Sequence, residues 1–272
     1  MSELQFIPME STKTVRAGEQ RPGGKRRRRK RMQRVWLLIA LLLVVAAVVR
    51  AVPDLSRNMF QRSQLQSDEY PEILRELYDT NEETYDFVKD YPNREKYMNE
   101  PVDLSQDYES GSVPLLMQWD RRWGYNAYGE GMIGLEGCGP TCLTMAYLYF
   151  TGDISMNPRT MAEYAWESGY YTSEGTSWSL WTEGVSGLGL QGETVSLDQG
   201  SMRAVLDTGG LIVCSMAPGD FTAKGHFILV RGYDENGFYV NDPNRRSNSE
   251  KQWSYDTLSS QIKNLWALYP LD

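Results

Sequence analysis

The stretch EGCGPTC, residues 136–142, sets Cys138 between two glycines and two residues ahead of a proline. Behind Pro140, the apolar residues Leu143, Ala146, Tyr147 and Phe150 recur at helical spacing, which puts Cys138 at or just before a helix N-terminus. Unpaired backbone N–H groups and the positive end of the helix dipole favour a thiolate there, and the thiolate is the nucleophilic form of cysteine. Such a nucleophile needs a base. The chain has one histidine, His226, at the head of the apolar run HFILVRGYD. An imidazole can take up the thiol proton and later hand it to a leaving amine. Asp242 closes the next apolar run, FYVND, and a hairpin between the two runs brings it near His226. There its carboxylate can accept from a ring N–H and fix the tautomer. Gln118, in VPLLMQWDRRWG, carries an amide suited to joining the Cys138 backbone N–H in holding an oxyanion.

Each residue also has a plainer reading. Cys138 alone fits a buried cysteine at a tight turn, Asp242-Pro243 is a common turn opening, and a lone Gln before Trp says little. Other chemistries are less well supplied. One histidine, three cysteines and no CxxC pair offer too few ligands for a structural zinc, and neither a metal nor a cofactor is expected. Cys142 and Cys214 read as small core residues. A disulfide between them stays open, whereas a Cys138–Cys142 bridge at i, i+4 is geometrically awkward. Trp178 and Tyr171 are candidates to line a peptide groove.

These residues must be positioned by a domain that starts near Val113, where Trp, Tyr, Gly and apolar residues become dense. Helices are expected behind Pro140, from Asn157-Pro158 onward, over TSWSLWTEGVSGLGL, and over SMRAVLDTGG. Strands are expected at 211–216, 226–234, 238–242 and in LWALYP, with DENG as a hairpin turn and SYDTLSSQI as a short helix. Helices first and an antiparallel sheet afterwards make an α+β domain.

The rest of the chain is organised by charge. Residues 1–34 carry 11 Lys/Arg and 3 Asp/Glu; beyond them, apart from Arg50, 16 basic residues face 33 acidic ones. That split argues for two environments rather than a nucleic-acid-binding protein. The basic run meets VWLLIALLLVVAAVV, and the expectation is a disordered basic tail over 1–34 followed by a transmembrane signal anchor over 35–52. The positive flank would leave the N-terminus cytosolic and the remainder outside. Residues 53–112, acidic and Tyr-rich, read as a helical stalk and linker. Short helices are expected in YPEILRELYDT and after Asn81, and the domain occupies 113–272.

Taken together, VPLLMQWDRRWGY, GLEGCGPTCLTMA, GHFILVRGYDENGFYVNDPN and NLWALYP resemble papain-like cysteine peptidases. More closely, they resemble the bacterial family thirty-nine of the cysteine peptidases, which includes bacteriocin-processing, double-glycine peptidases, and within it a free-standing extracytoplasmic branch. The resemblance runs from about Val113 to Pro270. It implies a papain-like fold, with Cys138 as nucleophile, His226 as base and acid, Asp242 as orienting carboxylate and Gln118 as oxyanion donor. The implied activity is hydrolysis of a peptide or protein substrate. No transporter or nucleotide-binding segment accompanies these motifs, and specificity does not transfer with a triad. The same residues would also serve a cell-wall amidase or an acyl transferase, and a non-catalytic peptide-binding domain is the remaining alternative.

Overall fold

The structure is a computed structural model and describes residues 23–271. The expected disordered tail lies outside the described residues as far as residue 22. From Gly23 the chain is instead helical. The chain divides into two compact units, Met1–Met59 and Phe60–Asp272.

Helix α1, Gly23–Gln64, joins the basic and apolar runs without a break. Trp36, Leu37, Leu42 and Leu43 project from it exposed. Among the described residues no helix is long and apolar enough to cross a membrane. The expected transmembrane anchor over 35–52 is therefore not met. The uninterrupted apolar run is 15 residues, bounded by Arg34 and Arg50. At 1.5 Å per residue it reaches only about 22 Å of a ~30 Å hydrocarbon layer.

In the second unit, helices α3 (Cys138–Thr151) and α4 (Pro158–Glu167) pack on each other, and α3 lies on a six-stranded sheet. The strands are β1 (Leu190–Thr194), β2 (Leu211–Met216), β3 (His226–Asp234), β4 (Gly237–Asn241), β5 (Gln252–Trp253) and β6 (Ile262–Pro270). Their order is β1-β6-β2-β3-β4-β5, with every pair antiparallel. The central strands read as unbroken apolar runs because both faces are covered. Leu211, Val213, Phe227 and Leu229 face the cluster under α3. Ile212, Cys214, Ile228 and Val230, the alternate positions, face a second cluster closed by Met202 and Val205 of helix α5 (Gln199–Asp207). Helix α4 begins where Asn157-Pro158 placed it, and the Asn157 side chain caps it by accepting from the Arg159 and Thr160 backbone N–H groups.

Two further expectations are corrected, and two strands were not expected. TSWSLWTEGVSGLGL forms two 3₁₀ turns, Trp178–Trp181 and Gly184–Leu188, rather than one helix. Gly184 admits no Cβ beside Leu180 and Tyr170, and an αL glycine, Gly189, ends the second turn before β1. Strands β1 and β5 lack an apolar run to mark them. Finally, residues from Phe60 to 112 are not a separate stalk. Helix α2 (Glu72–Thr80) buries Leu74 and Tyr78, and the following turns bury Phe87 and Val88, in one cluster with Tyr125. Phe87 stacks on Tyr125 at 4.5 Å and its carbonyl accepts from the Tyr125 hydroxyl at 2.6 Å. Its ring also lies over Gly124 and Gly134, where a Cβ would come within 2.7 and 2.4 Å of it.

Candidate active site

Cys138 is the first residue of α3, half-buried, with Gly137 before it. The two flanking glycines are required by close approach rather than by a left-handed turn. A Cβ on Gly137 would meet the Ile133 carbonyl oxygen at 2.6 Å, and one on Gly139 would meet the Thr176 hydroxyl oxygen at 2.4 Å. Thr176 is held in turn by a 2.8 Å hydrogen bond with the Tyr128 hydroxyl. The helix thus starts wedged between the Ile133 backbone and the Thr176 side chain, which fixes the Cys138 position.

His226 is the first residue of β3, and Asp242 follows the last residue of β4. The register Leu229↔Asn241 sets Asp242 beside Ile228 and diagonal to His226 on the same face. The His226 Nε2 and the Asp242 Oδ1 are 2.7 Å apart, and Asp242 is fully buried. Asn241 points to the opposite face, accepting from Arg231 Nε at 2.9 Å and donating to the Pro114 carbonyl at 2.9 Å.

The buried Asp242 carboxylate is kept ionised by donors from every side. Besides the imidazole, it accepts from the Asn244 and Arg245 backbone N–H groups at 2.8 and 3.2 Å and from Asn248 Nδ2 at 2.7 Å. Burial pushes its pKa up, but the imidazolium charge and these hydrogen bonds outweigh burial and hold it below the usual carboxylate range. For His226 burial is again the largest single influence and acts downward. The Asp242 charge and hydrogen bond, with help from the Cys138 thiol, overturn it and push the imidazole up to about 10. Because Nε2 is taken by Asp242, the nitrogen left for Cys138 is Nδ1.

Gln118 lines the same cleft as Cys138 and His226. Its Nε2 donates to the Gly134 carbonyl at 3.1 Å, which fixes which end of the amide is nitrogen and leaves the second N–H uncommitted. Its own backbone N–H donates to the Pro243 carbonyl at 2.8 Å, tying the segment to the Asp242 turn. All four expected residues are therefore assembled in one place. Trp178 and Tyr171 are not among the residues lining the cleft. Trp178 packs edge-on against Trp266, and Tyr171 packs on Tyr128 and donates to Glu136 at 2.9 Å. All three cysteines are free thiols. Cys142, fully buried one turn beyond Cys138, donates weakly to the Phe227 carbonyl, and burial raises its pKa well above the ordinary thiol value.

The cleft, about 390 Å³, has walls that sequence reasoning did not supply. One is the loop Gly219–Gly225 ahead of β3. Another is α2, which contributes Leu77 and Thr80. Leu77 lies in YPEILRELYDT, where the sequence marks a short helix and nothing that marks a cleft. Asn248, which reaches Asp242 from a short turn, carried no signal at all.

A family model described as "Peptidase_C39 like family" matches residues 110–269. Among solved structures, the chain is similar to the peptidase domain of Streptococcus ComA, a bi-functional ABC transporter involved in a quorum-sensing pathway. That likeness has 17% identity and a TM-score of 0.37, covering 50% of this chain and 93% of that one. It is also similar to a proposed C39-like peptidase from Bacillus anthracis, with 15% identity and a TM-score of 0.35, covering 63% of this chain and 98% of that one. No curated protein matches the chain.

Proposed function

The chain belongs to the Peptidase_C39 like family, and from that premise we propose that it is a cysteine peptidase cleaving amide bonds of a peptide or protein substrate. The observation that carries the reading is the buried 2.7 Å His226–Asp242 pair sharing a cleft with a cysteine at a helix start. With the thiol proton already resting on His226 Nδ1, the Cys138 thiolate attacks the substrate carbonyl carbon. The carbonyl oxygen becomes an oxyanion, received by the free Gln118 N–H and the Cys138 backbone N–H. The imidazolium returns its proton to the amide nitrogen, the C–N bond breaks, and the amine leaves. Water, deprotonated by His226, then cleaves the thioester, and the thiol is regenerated. Asp242 keeps Nε2 occupied throughout, so the ring cannot turn away from the sulfur.

The test uses the purified full chain, a fluorogenic peptide mixture and iodoacetamide. Wild type is expected to turn over peptides and to alkylate at Cys138 faster than an unactivated thiol. Cys138→Ala and His226→Ala are expected to lose at least about 10³-fold in turnover. Turnover that survives in both variants would sink the reading. An extracytoplasmic location is a further part of the proposal, supported by the order of basic and apolar runs in 24–49. Protease accessibility of the second unit in intact cells, against a cytosolic control, tests it.

A further inference from the structure

The matched family region starts at residue 110, yet the cleft is not closed by that region alone. Helix α2, thirty residues upstream, brings Leu77 and Thr80 to the cleft that holds Cys138. The helix is fixed from both sides. Beneath it, Leu74 and Tyr78 are buried with Phe87 and Tyr125. At its end, Asn81 Nδ2 donates to the Asn244 carbonyl at 2.5 Å, and Arg245 donates to the Thr80 carbonyl at 2.5 Å. The Glu83 carboxylate accepts from the backbone N–H groups of Arg246 and Ser247 at 2.6 and 3.0 Å. These bonds dock α2 on the same turn whose N–H groups hold Asp242. A segment fastened to the catalytic turn, with an apolar side chain turned into the cleft, is built as a wall of that cleft.

The chemistry of the wall selects its occupant. Leu77 and Leu135 pack together against one cluster, and both line the cleft. The charged lining residues stand away from Leu77 in sequence: Arg245 donates to the Thr80 carbonyl at the end of α2, and Asp220 and Lys224 lie on the loop Gly219–Gly225. On that loop, Asp220 accepts from Gln261 Nε2 at 2.8 Å. An apolar surface beside the reacting sulfur gains by covering itself with an apolar substrate side chain and loses by taking up a charged one.

We propose that α2 is a substrate-binding wall and that Leu77 is a specificity-determining residue, selecting an apolar peptide side chain adjacent to the scissile amide. This rests on the peptidase reading above. Leu77 does not touch the reacting atoms; with Leu135 it decides which peptides are presented to them.

The experiment compares the wild-type full chain with Leu77→Ala and Leu77→Asp. Each is treated with tripeptidyl chloromethyl ketones that differ at one position, carrying Leu, Ala, Asp or Lys there, and with iodoacetamide, which is too small to use the wall. In wild type the Leu reagent is expected to alkylate Cys138 fastest. Leu77→Ala is expected to cut the Leu-over-Ala preference by about tenfold, the range a lost apolar pocket contact carries. Leu77→Asp is expected to move the preference to Lys. Iodoacetamide rates are expected to stay within about twofold in both. An unchanged ranking across the four reagents overturns the proposal. If wild-type Cys138 instead reacts with iodoacetamide no faster than an unactivated thiol, the peptidase reading fails separately. In that case the slower rankings still decide whether Leu77 selects. A change in the iodoacetamide rate that matches the change with every peptide reagent means a displaced cysteine, and this too overturns a selective role.

Discussion

At the level of single residues, the site works by making one proton position unambiguous. Asp242 is ionised because four donors surround it, and that charge keeps the His226 ring protonated. The sign of the pH dependence follows. The folded imidazole is raised to about 10 from 6.5, so its contribution to stability is complete below pH ~6.5 and drains away as pH climbs toward 10. The Asp242 carboxyl is lowered, so its contribution is present above its ordinary range and is lost as acid reaches its depressed value. Thermal unfolding from pH 6 to 10 is expected to show a steeper fall for wild type than for His226→Gln. Replacing Asp242 with Asn is expected to move the alkaline limb of peptide turnover to lower pH and to reduce turnover by about 10²-fold or more, measured as a kcat profile. Cys138, His226 and Asp242 were legible because each sits at a motif with its own punctuation: a glycine pair, a lone histidine, an Asp-Pro turn; Gln118, with no such punctuation, was legible only alongside them. Asn248 was not legible, since an asparagine in a polar turn looks the same whether or not it reaches a buried carboxylate.

At the level of elements, the position of Cys138 depends on contacts too short for a methyl group. Gly139→Ala would drive a Cβ to 2.4 Å from the Thr176 hydroxyl oxygen and 2.8 Å from its Cβ. It is expected to destabilise by about 1–3 kcal/mol, the range for overpacking, and Thr176→Ala in the same chain is expected to restore part of the loss. Paired melting curves of the single and double variants check this. The clamp at Glu83 is expected to matter for turnover rather than for folding. Glu83→Ala frees the Arg246 and Ser247 N–H groups and loosens the turn around Asp242, lowering kcat several-fold with little change in melting temperature. A fall in stability without a fall in kcat would count against that role. Strands β2, β3 and β6 were readable because burial on both faces writes an unbroken apolar run into the sequence. β1, with Gly192 and polar neighbours, left no such run. Its place is secured by pairing with β6 instead. The stretch 176–190 showed helical spacing, but glycines at 184, 187 and 189 convert that spacing into tight turns.

At the level of the whole molecule, composition hid how residues 60–112 pack. Residues 60–112 are acidic outside, so they read as a stalk. What they bury is a small set of large side chains, Leu74, Tyr78, Phe87 and Val88, spread thinly through polar sequence. A fragment starting at residue 110 is expected to bare Tyr125, Leu135 and Trp119 and to aggregate or bind a hydrophobic dye. A fragment starting at residue 60 is expected to fold with the melting temperature of the full chain. Phe87→Ala is expected to remove about 3–5 kcal/mol, readable by denaturant titration. If the shorter fragment is as stable as the longer one, the extension is dispensable. The docking of α2 has one more consequence. The reacting groups lie within the matched region and Leu77 lies before it, so bond-breaking and discrimination are written on separate stretches of chain. Variation upstream of residue 110 can then retune diet while the chemistry stays untouched, and paralogues alike in their triads would be told apart by their preludes.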